Sequence, residues 1–272
     1  MDIELLKTFL EVSKTRHFAR AAESLYLTQS AVSFRIRQLE TQLNTVLFAR
    51  HRNNILLTLS GEQLIPYAES VINTWAKAKK EISQESLHIE FSIGSIISLW
   101  EGYLTNWIQL IYQKYKDLHL ECRISTRESL IKQLHSHELD LLIAIEPPKM
   151  DEFKSAIIGE IKLQLITNKK NLILSRFNLI KLEWSNYFNT NEKSSLVENS
   201  PAILTTSANL ARELLYPTQS AAVLPVHWLH QYNELEILSK FIYKKPIYGI
   251  WLQNNRQESF INEMVKIPIQ NN

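Results

Sequence analysis

Between Thr28 and Arg37 the chain gathers side chains that donate hydrogen bonds and none that is negative. Thr28, Gln29, Ser30, Ser33, Arg35 and Arg37 all precede the next acid, Glu40. Gln and Arg make two-point hydrogen bonds to base edges, and Ser and Thr reach bases or phosphates. Such a set suits recognition of a nucleic acid. A second group lies just downstream, where Arg50, Arg52 and Asn53 sit between two short apolar runs. From 14 to 52 there are seven Lys and Arg residues against two acids, although the whole chain carries only +2. A local basic excess of this kind is the footprint of a phosphate-backbone binder.

No comparable set supports catalysis or metal binding. His135 and His137 are two apart and face different sides of a helix. His227 and His230 have a better spacing, but no Cys, Asp or Glu stands close by to complete a site. Asp151-Glu152 follows a double proline and reads as a solvated loop. Cys122 falls in an expected strand and reads as buried and inert. There is no GxSxG, GxGxxG or P-loop, and five glycines in 272 residues leave little for phosphate loops. No cofactor, metal or enzymatic activity is expected.

The donors need a helix to present them. Val32, Ile36, Leu39 and Leu43 recur at +4, +3, +4, which predicts a helix with one buried stripe, capped by Thr28 or Ser30. Two helices precede it: 3–14, with Ile3, Leu6, Phe9 and Leu10, and 17–25, with small residues at 21 and 22. Helix, tight turn and helix present the start of the last one to a major groove. Thr28, Gln29, Ser30, Ser33 and Arg35 are expected to face bases, and Arg37, farther round, a phosphate. The stretch 46–62 predicts a two-stranded wing with Arg50 to Asn54 at its tip and an Asn53-Asn54 turn. Arg50 and Arg52 would grip a minor groove or the backbone.

Ser60-x-x-Gln63 has capping-box form and opens a long helix. Leu64, Ala68, Val71, Trp75, Ala78 and Ile82 then follow a 3.5-residue repeat, the seam of a two-helix coiled coil. The seam implies a homodimer, with Pro66 bending the helix slightly. From Leu87 onward strands and helices alternate in two sets, 87–145 and 162–226, with a late strand at 247–253 and a last helix near 257–265. Alternation of this kind means parallel α/β units, here two subdomains around a cleft. Ser98-x-x-Glu101 and Ser125-x-x-Glu128 read as helix caps. Trp107 and Trp184 either pack the core or line the cleft. Composition is that of a globular chain, with 45% hydrophobic and 21% charged residues and no bilayer-length apolar run. The N-terminus lacks a basic, apolar leader, and one cysteine cannot pair internally, so a cytoplasmic location is expected.

The motifs AAxxL, TQxAVSxxIxxLExxL, LFxR and LTxxGE occur between residues 21 and 62 in an order and spacing that resemble the winged helix-turn-helix of LysR-type transcriptional regulators. The rest resembles that family's effector domain in layout, with "AAVLP" at 221–225 matching a late strand motif. The resemblance implies an α/β fold with an α-rich N-terminal unit. A winged helix-turn-helix (1–58) would be followed by a dimerisation helix (59–87). A two-subdomain effector domain like type 2 periplasmic binding proteins (88–272) would complete it, with subdomain I from 88–160 and 250–272 and subdomain II from 161–249. It implies binding of promoter DNA as a dimer or tetramer and modulation by a small anionic effector. The effector residues would be Ser95, Ser98, Thr126, Thr205 and Thr206. The stretches 22–40 and 140–153 resemble a branch that represses flagellar genes. After Ser33 the family usually has Arg and then Gln, whereas this chain has Phe34 and Arg35; Phe34 could touch a thymine methyl. His17 stands where Ser is common, and the effector domain is shorter than usual. The competing reading is a cytoplasmic solute-binding protein with no DNA role.

Overall fold

The computed structural model describes residues 2–51, 54–83, 89–168, 177–184, 203–216 and 220–269. The chain forms two compact units, residues 1–87 with 132–139, and residues 88–131 with 140–272.

The N-terminal unit opens with α1 (Ile3–Thr15), capped by Asp2, whose carboxylate accepts from Glu4 N–H at 3.0 Å. α2 (Phe18–Ser24) is capped by His17 Nδ1, and Ala21 and Ala22 are buried where neighbouring helices approach. α3 (Gln29–Leu43) starts at Thr28, whose Oγ1 accepts from Ala31 N–H at 3.2 Å, and stops at Asn44 in the left-handed region. β1 (Phe48–His51) and β2 (Asn54–Leu57) form an antiparallel hairpin. α4 (Leu59–Ser83) follows, and its 25 residues span about 37 Å at 1.5 Å each. Its cap is Thr58 rather than Ser60: Gly61 N–H donates to Thr58 Oγ1 at 3.1 Å, and that hydroxyl donates to Val46 O at 2.7 Å. Gly61 permits a close approach here, because a Cβ would lie 2.4 Å from the Leu47 carbonyl oxygen.

The buried stripe of α3 is Val32, Ile36 and Leu39, packed on Leu5, Phe9 and Val12 of α1. The expected fourth member, Leu43, is 40% exposed, because the helix has by then run past the core. In α4 the 3.5-residue seam divides. Leu64 and Ala68 pack into this unit's own core, whereas Val71, Trp75 and Ile82 are exposed.

The second unit carries one eight-stranded sheet. β3 (Ile89–Ser95) lies parallel between β4 (Leu118–Ile124) and β5 (Leu141–Ala144). β7 (Asn178–Lys181) lies parallel between β8 (Ile203–Leu204) and β9 (Ser220–Pro225). Each half thus has the same arrangement, first strand in the middle. The long antiparallel pair β6 (Phe153–Thr167) and β10 (Glu236–Leu252) joins the halves. Sequence periodicity caught only the apolar ends of these two strands. Their remaining residues are largely half-exposed and interrupted by Gly159 and Pro246, so the alternation is weak.

Between β3 and β4 run α5 (Ile97–Leu99), a π turn (Trp100–Leu104) and α6 (Thr105–Lys114). α7 (Arg127–His135) follows β4, α8 (Ala208–Leu214) follows β8, α9 (Trp228–Gln231) follows β9, and α10 (Glu258–Met264) follows β10. Trp107 is fully buried, its indole N–H on Ile267 O at 2.8 Å, so it packs the core. Cys122 is exposed on the edge strand β4, contrary to the expected burial, because cover on its face falls away along the strand, from buried Leu118 through half-buried Leu120 to exposed Ile124. The neighbours that still cover part of the thiol desolvate it, and with Glu121 beside it this pushes its pKa up. No helix among the described residues is long and apolar enough to cross a membrane.

Candidate nucleic-acid interface

The turn before α3 is tight for a clear reason. Leu27 N–H reaches back to Ala22 O at 2.8 Å while Tyr26 takes φ 54°, a helix C-terminal motif that usually holds glycine. The tyrosine is 97% exposed, so its side chain packs on nothing and is offered outward beside the start of α3. A left-handed non-glycine residue costs about 1–2 kcal/mol. Sequence reasoning passed over Tyr26, and the mismatch between a tyrosine and a turn position that favours glycine was the available signal.

Thr28, Gln29 and Ser30 are exposed at the N-terminus of α3, with the Thr28 and Ser30 hydroxyls 2.9 Å apart. Farther along, the outward face consists of Ser30, Phe34, Arg37, Gln38 and Thr41, and Ser33 is half-buried at its border. Phe34 is 62% exposed in the middle of this face. Glu40 does not mark the face with negative charge. Its Oε1 is half-buried and accepts from Leu47 N–H at 2.8 Å and from Phe48 N–H at 3.4 Å, tying α3 to the hairpin.

The structure leaves open the arginine expected at the margin and ties back the one expected at the centre. Arg35 flanks the buried stripe, and its guanidinium turns back to α1, donating to Thr8 Oγ1 at 3.2 Å and lying 3.6 Å from Glu4. Arg37, assigned to a phosphate at the margin, lies on the open face, with its Nε on Ser33 O at 3.3 Å. The reason is angular. Arg35 is one residue before buried Ile36 and four before buried Leu39, so it borders the packed face at 100° per residue. Gln38 belongs to the same open face and went unnoticed for lack of that angle.

In the hairpin, His51 pairs with Asn54, which places Asn54 in β2 rather than in the turn. Arg50 pairs with Ile55 through the backbone. The expected contacts Arg52 and Asn53 lie outside the described residues.

The second unit holds a cavity of about 40 Å³ lined by Ile96, Arg127, Ile143, Glu146, Glu183 and Trp184, among others. It has room for a few waters. Trp184 is itself buried and donates to Val223 O at 2.8 Å. Burial, with Glu128 nearby, raises the pKa of Glu183, and Arg127 opposes the rise. The five expected effector residues do not converge on one open site. Ser95 is buried and donates to Ile143 O at 2.8 Å. Ser98 is buried inside the helix and has no hydrogen-bond partner among the described residues; the helix begins at Ile97, so Ser98 is not its cap. Thr126, rather than Ser125, caps α7 by accepting from Ser129 N–H at 3.3 Å. Thr205 Oγ1 accepts from Ser207 N–H at 3.1 Å, and Thr206 borders an open depression with Lys181 and Glu183.

Glu101, expected to pair with Ser98, does something else. From the π turn its carboxylate accepts from Ser207 Oγ at 2.8 Å and from Asn209 N–H at 3.0 Å. It therefore occupies the N-terminus of α8, where backbone N–H groups favour a negative group.

Comparison with known proteins identifies the family. Residues 3–62 match the bacterial regulatory helix-turn-helix of the lysR family, and residues 84–259 match the LysR substrate binding domain. The chain is 51% identical to the HTH-type transcriptional regulator HdfR of Yersinia pestis (strain Pestoides F), over 100% of this chain and 97% of that one. The crystal structure of CbnR, a LysR family transcriptional regulator, superposes with TM-score 0.72 at 15% identity, over 99% of this chain and all of that one. Full-length CbnR complexed with its target DNA superposes with TM-score 0.68 at 17% identity, over 98% of this chain and 99% of that one. With both of its units matched in order and a full-length relative at this identity, the chain belongs to the LysR family of DNA-binding transcription regulators, which are not enzymes.

Proposed function

We propose that this chain is a cytoplasmic repressor that binds promoter DNA as a dimer or tetramer, with α3 in the major groove and the β1–β2 wing on the adjacent backbone. The observation that carries the reading is the outward face of α3, which combines Ser30, Phe34, Arg37 and Gln38 and turns its one acid inward. Thr28, Gln29, Ser33, Arg50, Arg52 and Asn53 complete the proposed interface, with Arg35 acting from behind as a support. The division into 1–58, 59–87 and 88–272 follows. α4 is the dimerisation helix, supported by the exposed Val71, Trp75 and Ile82 at one end of a 3.5-residue repeat. The resemblance of 22–40 and 140–153 to a flagellar repressor supports motility genes as targets. The effector part of the reading is a small anion admitted between the two halves of the second unit. Entry would require that the Glu101 contacts release and the 40 Å³ cavity open.

A footprint of the purified chain on the DNA upstream of its own gene and of flagellar genes, at two salt concentrations, tests this. Two protected patches in register with the helical repeat are expected, with affinity falling steeply with salt. Absence of DNA binding at either salt would overturn it in favour of a solute-binding role.

A further inference from the structure

We infer that Phe34 is a specificity-determining residue that reads the C5-methyl group of a thymine in each half of the operator. The inference rests on the proposed docking of α3. Four observations carry it. Phe34 is 62% exposed although it belongs to a helix whose apolar stripe is complete without it, so the core does not need it. It occupies the centre of the outward face, one turn after Ser30 and one turn before Arg37 and Gln38, all exposed. Its phenyl ring has no donor or acceptor, so it cannot bind the hydrogen-bonding edge of any base. The one apolar group that the four base pairs present in the major groove is the thymine methyl.

The neighbours sharpen the geometry. With an arginine at +3 and a glutamine at +4, the ring lies within one helical turn of groups that prefer guanine and adenine edges. The read thymine should therefore sit beside a purine contacted by Arg37 or Gln38. Any base other than thymine under the ring would desolvate a polar edge against a phenyl group, so the contact selects as well as binds. A 5-methylcytosine would present the same methyl group.

The test uses the full chain and an operator selected from random duplexes. Each thymine is replaced singly by deoxyuridine, which removes the methyl and nothing else. One thymine per half-site should lose about fourfold in affinity, the equivalent of the ~0.8 kcal/mol of one buried methyl group, and the doubly substituted operator about sixteenfold. The Phe34→Ala variant, whose folding the exposure of the ring protects, should bind deoxyuridine and thymine operators equally. At the same position, 5-methylcytosine should bind about fourfold tighter than cytosine. Specific binding in which no thymine shows a methyl effect would overturn the inference alone. So would an effect that persists in Phe34→Ala, or equal binding of cytosine and 5-methylcytosine. Failure to select any operator would overturn it together with the proposed function.

Discussion

Replacing the two α3 arginines one at a time separates support from contact. Arg35 donates one charged hydrogen bond to Thr8 Oγ1 at 3.2 Å, and its side chain is 28% exposed. Hydrogen bonds to charged groups contribute about 1.5–3 kcal/mol when shielded. Two features reduce that here. The exposure screens the charge, and Thr8 Oγ1 keeps its own bond to Glu4 O at 2.7 Å, so truncation orphans nothing. The Glu4 contact, at 3.6 Å and half-exposed, adds little. Arg35→Ala should therefore cost about 1 kcal/mol in the packing of α3 on α1, seen as roughly fivefold faster hydrogen exchange in those helices. Its affinity for operator and scrambled DNA should fall alike. Arg37→Ala should leave exchange unchanged, weaken operator binding by about 1–3 kcal/mol and narrow the gap to scrambled DNA. Both variants are measured by exchange mass spectrometry and fluorescence anisotropy. If Arg35→Ala exchanges like the parent and loses sequence discrimination, the assignment of the two arginines is wrong.

Other perturbations follow from single contacts. Gly61→Ala places a Cβ 2.4 Å from a backbone oxygen, so α4 must move off the hairpin at a cost of about 1–3 kcal/mol; an unchanged melting temperature would contradict the close approach. Trp75→Asp puts a charge on the exposed end of the seam and should halve the mass seen by light scattering, whereas an unchanged mass would remove the seam from the interface. Glu101→Ala removes an acceptor of two hydrogen bonds at α8 and should lower stability by about 1–3 kcal/mol; equal stability would show that those contacts hold nothing. Burial holds the His227 imidazole below its ordinary pKa of 6.5, outweighing the Gly102 carbonyl that favours the cation, and His230 adds to the depression. The unfolded chain then takes up a proton that the folded one resists. Stability should fall as pH drops below about 6.5, and His227→Gln should flatten that slope.

Residue type and spacing alone made the DNA-binding unit legible. The donors of 28–37, the 3.6-residue stripe of Val32, Ile36 and Leu39, and the family motifs are local patterns, and helix formation is local too. The alternation of strands and helices in the second unit was readable for the same reason. What a local pattern cannot carry is the partner of a polar side chain. Ser98 and Glu101 have the spacing of a cap, yet Glu101 reaches a helix more than a hundred residues away. The angle to the Ile36 and Leu39 stripe separates Arg35 from Arg37, but that Thr8 and Glu4 of α1 stand ready to hold Arg35 is decided by the packing. The full length of the strands β6 and β10 escaped notice, although their apolar ends did not, because each is well buried only toward its C-terminal end. Thus the sequence by itself determined where the longer helices lie and that one of them carries a face of donors suited to meet an anionic polymer. Only the tertiary structure decided which of its side chains remain available to do so, because availability is set by what packs alongside.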